Sequence, residues 1–322
     1  MDPVAFLADL EAKPSALREL ADRLEEADPW ARIEIPERIV LIGMGSSRYA
    51  AGVATTRLRA AGLDTVSEYA SLESGSPGGP GTLAVGISAS GGTAETIEAL
   101  ARHRGTGGAV AAVTNVPSSA IGRDADLVVD LAAGEEAGGV ACRSFQHTVA
   151  ILLALEARLT GVPVASVPGW VRDAADATEE LLARGDVWLG PACELLAEGP
   201  TFVIAPGERL SSAEQGALML REGPRRIADA CESGDWLHVD VYLTKALDYR
   251  AILFAGSRFD DAIMAWMRER GGRVLTVGGA VPGVRQTVRY PGDDVREVAL
   301  LTEVLVPELV AASWWRAEAG PA

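Results

Sequence analysis

Two short stretches of this chain combine the residue types that grip an oxyanion. Gly43-Met44-Gly45-Ser46-Ser47 follows an apolar run and opens into a helical pattern, and Ser88-Ala89-Ser90-Gly91-Gly92-Thr93 does the same after another apolar run. Glycine lets backbone N–H groups approach an anion closely, a helix N-terminus adds about half a positive charge, and hydroxyls donate further hydrogen bonds. Such a nest holds a phosphate without any lysine. The plain alternative is that these serines and threonines only cap helices. A dinucleotide fingerprint fits less well, because Arg48 stands where its third glycine belongs.

Acid–base chemistry has two candidates. Glu222 ends a helical run, and Gly223-Pro224 stop the helix just beyond it. A carboxylate held at such a break over an apolar stretch can have its pKa raised toward a useful base value. The alternative is a solvated helix-end carboxylate. His238 follows by sixteen residues (238 minus 222) and can give and take a proton near neutral pH, or serve as a partly buried structural histidine between Trp236, Leu237 and Val239. His103, at a helix C-terminus beside Arg102 and Arg104, and His147 both read as structural.

Composition excludes several classes. A formal net charge of -16 repels phosphate backbones, so nucleic acid and anionic membranes are not expected partners. Cys142, Cys193 and Cys231 form no C-x-x-C pair, and no histidine has a second ligand at metal spacing, so neither a disulfide framework nor a metal site is expected. The first residues carry no basic apolar leader and no run of eighteen apolar residues occurs without a charge, which predicts a cytoplasmic protein that spans no membrane. With 48% hydrophobic and 23% charged residues the chain is globular.

These residues need elements to position them. The periodicity predicts a helix over 6–24 interrupted by Pro14, then strands at 39–42, 65–69, 83–87, 109–114 and 127–131 with helices at 48–61, 94–104 and 144–159. After a polar, mostly helical stretch over 163–199, strands are expected at 201–205, 251–254 and 274–277, helices at 212–221 and 259–270, and a closing helix from about 295 to 315. Apolar strands separated by helices call for parallel sheets covered on both faces. The expected organisation is a helical segment over 1–35 and two doubly wound α/β domains over 36–175 and 176–322. In such sheets both Ser-rich turns lie at the carboxyl edge of the strands, where ligands bind.

Taken together, these residues resemble the sugar-isomerase (SIS) family, including the isomerase half of glucosamine-6-phosphate synthase. The likeness runs through Met44-Gly45-Ser46-Ser47, Ser88 to Thr96, Thr114 to Ser119, Glu136-Ala137-Gly138 with Arg143 and Phe145, and Glu214 to Glu222. It implies two flavodoxin-like, three-layer SIS domains. It also implies that Gly45, Ser46, Ser47, Ser88, Ala89, Ser90 and Thr93 surround a sugar phosphate, that Glu222 moves a proton between two carbons, and that His238 opens the ring in a neighbouring subunit's site. A homodimer, a phosphorylated sugar or amino sugar as ligand, and chemistry without metal or organic cofactor follow from the same likeness.

No N-terminal cysteine nucleophile of a glutaminase half stands in this sequence, so we expect isomerisation of a sugar phosphate or release of ammonia from an amino-sugar phosphate. The alternative is a non-catalytic phosphosugar sensor. Several departures from the family pattern favour it: the lysine three residues before the glutamate is Met219, the glutamine of the Ser-x-Ser turn is Ala89, the serine of the later substrate loop is Ala141, and Val239-Asp240 replaces Gly-Pro after the histidine. The family's lysine-bearing tail has no counterpart, and the last lysine here is Lys245.

Overall fold

In the computed structural model, residues 1–284 and 286–320 are described. The chain forms two compact units that are not contiguous in sequence. The first-sheet unit takes residues 16–135 and 143–172, and the second-sheet unit takes 1–15, 136–142 and 173–322. The N-terminal helical segment is thus shared between them. Residues 136–142 leave the unit of their sequence neighbours, which nothing in the local pattern foretells.

Pro14 does divide the opening helix, into α1 (Pro3–Glu11) and α2 (Lys13–Glu26), where it sits in the first turn of α2. The first-sheet unit then alternates β1 (Arg38–Gly43), α3 (Ser46–Ala60), β2 (Asp64–Tyr69), β3 (Thr82–Ile87), α4 (Ala94–Ala101), β4 (Ala109–Thr114), β5 (Leu127–Asp130) and α5 (Arg143–Thr160). All five strands are parallel, in the order β2-β1-β3-β4-β5. Alternate strand residues face opposite sides of the sheet, so Val40, Ile42, Ala84, Val110 and Ala112 join Leu100 of α4 and Ile121 in one core.

After α6 (Val167–Ala183), whose residues fall in both units, the second-sheet unit continues through α7 (Gly185–Leu196), β6 (Thr201–Ala205), α8 (Leu210–Glu222), β7 (Ala228–Glu232), α9 (Ser233–Trp236), β8 (Arg250–Phe254), α10 (Asp260–Arg270), β9 (Arg273–Val277), β10 (Gln286–Val288), α11 (Arg296–Thr302) and α12 (Leu305–Ala319). Its parallel order, β10-β9-β8-β6-β7, repeats that of the first sheet when its strands are counted from β6. The expected duplication is therefore one of topology. Phe202 stacks on Tyr249 with ring centres 4.2 Å apart, and Tyr249 accepts the indole N–H of buried Trp236 at 2.8 Å.

Two strands escape the sequence pattern. β7 reads Ala-Asp-Ala-Cys-Glu and β10 spans three residues, and both are edge strands that bury only part of their length. The closing helix is two helices, broken at Glu303, whose buried carboxylate pairs with Arg209. The stretch Arg296–Ala319 is long and apolar enough to cross a membrane by length and composition, yet 89% of its most apolar part is buried within the protein. It is a core helix pair by its packing.

Candidate active site

β1 and β3 lie side by side in register, so the turns that follow them meet at one edge of the sheet. The chain winds from β1 through α3 to β2 on one side and from β3 through α4 to β4 on the other, which makes this edge the topological switch point. Ser46 and Ser47 open α3, and Ser88, Ala89, Ser90 and Thr93 form the turn before α4. The structure brings all of these candidates into one unit.

The helix ends there are informative. Gly45, with φ of 50°, precedes α3 and Thr93 precedes α4, and at neither position does a side chain cap the helix. Thr93 therefore stands at the N-cap of α4 without capping it, which counts against the capping alternative at that turn. The Ser88 hydroxyl instead lies 3.0 Å from that of Thr93, and Ser90 accepts the N–H of Gly92 at 3.3 Å. Gly91, with φ of 63°, has no substitute: a Cβ there would meet the Ser119 hydroxyl at 1.7 Å. The turn before α4 is thereby pressed against the turn after β4, where Ile121 N–H bonds the Gly91 carbonyl at 3.1 Å. Arg48, in the first turn of α3, stacks 4.8 Å from the ring centre of Tyr69.

In the second-sheet unit, Glu222 is the last residue of α8 and is half-buried. Burial pushes its carboxyl above the ordinary glutamate value, and neighbouring Arg221 offsets part of the rise. Three residues on, Arg225 holds φ of 55°, a strained conformation for a residue other than glycine. Met219, one turn before Glu222, is buried and 3.6 Å from the Gln215 amide nitrogen, which also donates to the Ala141 carbonyl at 2.7 Å. Gln215 was not singled out by its sequence position; its partner in residues 136–142 is remote in the chain.

His238 is exposed, so the reading of a partly buried structural histidine does not describe it. Its backbone N–H bonds the Asp235 carbonyl at 2.9 Å, and the short helix α9 before it is anchored by Trp236. His103 is buried and its pKa is lowered, chiefly by that burial, while His147 is fully buried with Nδ1 2.8 Å from the Leu131 carbonyl oxygen. Among the described residues no group of three or more His, Cys, Asp or Glu is placed to hold a metal. A cavity of about 800 Å³ lined by Asp2, Val4, Leu7, Leu309 and Arg316 contains none of the candidate residues.

Residues 33–160 match the family model described as SIS domain. The chain is 27% identical over 312 residues to the isomerizing glutamine–fructose-6-phosphate aminotransferase of Zymomonas mobilis, covering 92% of this chain and 50% of that protein. The chain thus spans about half the length of the curated relatives it matches. Among solved structures it is similar to the C-terminal domain of the glucosamine-fructose-6-phosphate aminotransferase of Francisella tularensis, with a TM-score of 0.82, 19% identity and 95% of each chain covered. It is also similar to the glucosamine-6-phosphate deaminase of Thermotoga maritima, with a TM-score of 0.76, 14% identity, and 98% and 95% covered. Residues 33–160 are therefore a SIS domain, within a two-sheet α/β fold of the kind that forms the C-terminal domain of these aminotransferases.

Proposed function

We propose that this chain binds a phosphorylated sugar or amino sugar and either interconverts its aldose and ketose forms or releases ammonia from it. The observation that carries the reading is the pair of helices α3 and α4, which meet the switch point without side-chain caps and with the hydroxyls of Ser46, Ser47, Ser88, Ser90 and Thr93 around them. Backbone donors at helix N-termini on such an edge suit a phosphate, even in a chain of net charge -16, because the device is local.

Glu222 is the base in this proposal. Isomerisation needs a group that removes the proton from the carbon beside the carbonyl and returns it to the next carbon, and a half-buried carboxylate with a raised pKa suits that work. The activities for which the Zymomonas mobilis and Thermotoga maritima proteins are named, isomerizing aminotransferase and deaminase, support an enzyme of this kind. His238 would open the sugar ring, and its exposure fits a role in the site of a second copy of the chain, in a homodimer.

Met219 and Ala89, where the family pattern has lysine and glutamine, favour the second reading, a sensor that binds without turnover. Incubation with hexose and hexosamine phosphates in deuterated water separates the two. An enzyme incorporates deuterium at carbon and yields ketose or ammonia. Binding of sugar phosphates with no exchange on any of them would leave the sensor.

A further inference from the structure

Helices α1, α7 and α12, all of the second-sheet unit, border a cavity of about 800 Å³ with apolar walls from Val4 and Leu7 of α1, Leu189 of α7 and Leu309 of α12. Protein interiors leave few voids larger than a water molecule, and cavities of roughly 300–1,000 Å³ are the size that holds small organic ligands. Polar groups in its wall are few, and most are already engaged. The Asp2 carboxylate accepts the N–H groups of Val4 and Ala5 at 2.8 and 3.1 Å, and the Ser313 side chain hydrogen-bonds the Cys193 thiol. Arg316 stands one turn beyond Ser313 on α12 and is exposed. Glu318, two residues further on, is taken by Arg226 at 3.4 Å, and Arg316 has no ion pair among the described residues. The cavity thus joins apolar walls to one uncompensated guanidinium.

That combination favours a ligand with one carboxylate on a compact apolar body, because an ion pair gains strength where apolar surface excludes water. A cation would be repelled by Arg316, and a neutral molecule would gain nothing from it. Arg316 also lies in the last turn of α12, where a positive charge suits the helix dipole, but that role alone would give no preference for an acid over its neutral analogue. The same two turns of α12 touch the residues that follow Glu222. Gly223 is so close to Trp315 that a Cβ would meet the ring at 3.0 Å, and the Arg226 guanidinium lies 4.0 Å from the ring centre of Trp314. Between them Arg225 holds its φ of 55°. The Trp315 and Phe6 rings, 5.8 Å apart between centres, carry this packing across to α1. A molecule held between α1 and α12 therefore bears on the turn that ends α8.

We propose that this cavity is a regulatory site for a small apolar carboxylate, which pairs with Arg316, buttresses α12 against α1 and so steadies the turn 223–226 behind Glu222. The binding stands on the cavity and its charge, and the word regulatory rests on the reading of Glu222 as the base.

The test uses naphthylacetate and its neutral amide, which share one shape and differ in charge. In calorimetric titration the acid should bind wild type about tenfold more tightly than the amide. Arg316→Gln should remove that difference and leave amide binding as it was. Ala317→Trp, which fills the cavity from an exposed position in its wall, should abolish binding of both. The bound acid should also slow hydrogen exchange about threefold or more at the Gly223 and Arg226 amides, which donate to the Met219 and Leu220 carbonyls at 3.1 and 2.9 Å. Equal affinities for acid and amide, no binding of the acid below about 1 mM, or binding that survives Ala317→Trp would overturn the site. Selective binding with unchanged exchange at 223 and 226 would overturn its reach to Glu222. If the acid binds as expected and no sugar phosphate does, the functional reading falls and the carboxylate site stands.

Discussion

The Ser88 and Thr93 hydroxyls face each other at 3.0 Å across the turn between β3 and α4. This contact ties the first and last candidate residues of the turn, so that the hydroxyls and the first-turn amides of α4 are ordered before any ligand arrives. Pre-ordering of donors lowers the cost of binding. Replacement of Ser88 and Ser90 together by alanine should weaken sugar-phosphate binding by about 2–4 kcal/mol at unchanged fold. Calorimetric titration checks this, and unaltered affinity would remove the phosphate assignment.

Glu222 must be ionised to act as a base. Burial raises its pKa, so the active form is lost as pH falls through a value higher than the ordinary 4.5, and kcat/KM should decline on the acid side from that raised value. Glu222→Gln should lower turnover by about 10² or more, abolish carbon–deuterium exchange and leave ligand affinity within a few-fold. An acid limb that persists in that variant would assign the base elsewhere.

His238 stands exposed beyond the anchored α9. If it completes the site of another subunit, light scattering should give a dimer or larger. Mixing Glu222→Gln protein with His238→Ala protein should then restore part of the activity. A fully active monomer would exclude the arrangement.

Glu303 and Glu308 are both pushed up to about 7, first of all by burial, with Arg209 and Lys13 respectively opposing the rise. The folded state therefore holds protons that the unfolded chain releases above about 4.5. Stability from these groups is full below that pH and is lost as pH rises through 7. The melting temperature should fall between pH 5 and pH 8 by an amount that Glu303→Gln and Glu308→Gln each reduce. A flat profile in wild type would contradict the buried carboxylates.

Much of the molecule was legible in its sequence because the signals were local. Short apolar runs marked every interior strand, Gly and Ser marked the two turns at the switch point, and Pro14 and Gly223-Pro224 marked helix boundaries. Each of these is a preference that a residue expresses among its near neighbours. The edge strands β7 and β10 went unmarked because an edge strand buries little and so needs no apolar run. Residues 136–142 gave no sign of joining the second-sheet unit, since the groups that hold them, Asp9 and Gln215, come from segments about 70 to 130 residues away. Lys13 likewise reads as one polar residue on an amphipathic helix until α12 brings Glu308 against it. The sequence determined most of the elements and the two Ser-rich turns, whose order is set within a few residues. Only the tertiary structure decided which distant charges are removed from water together, because burial depends on what the whole chain brings to one place.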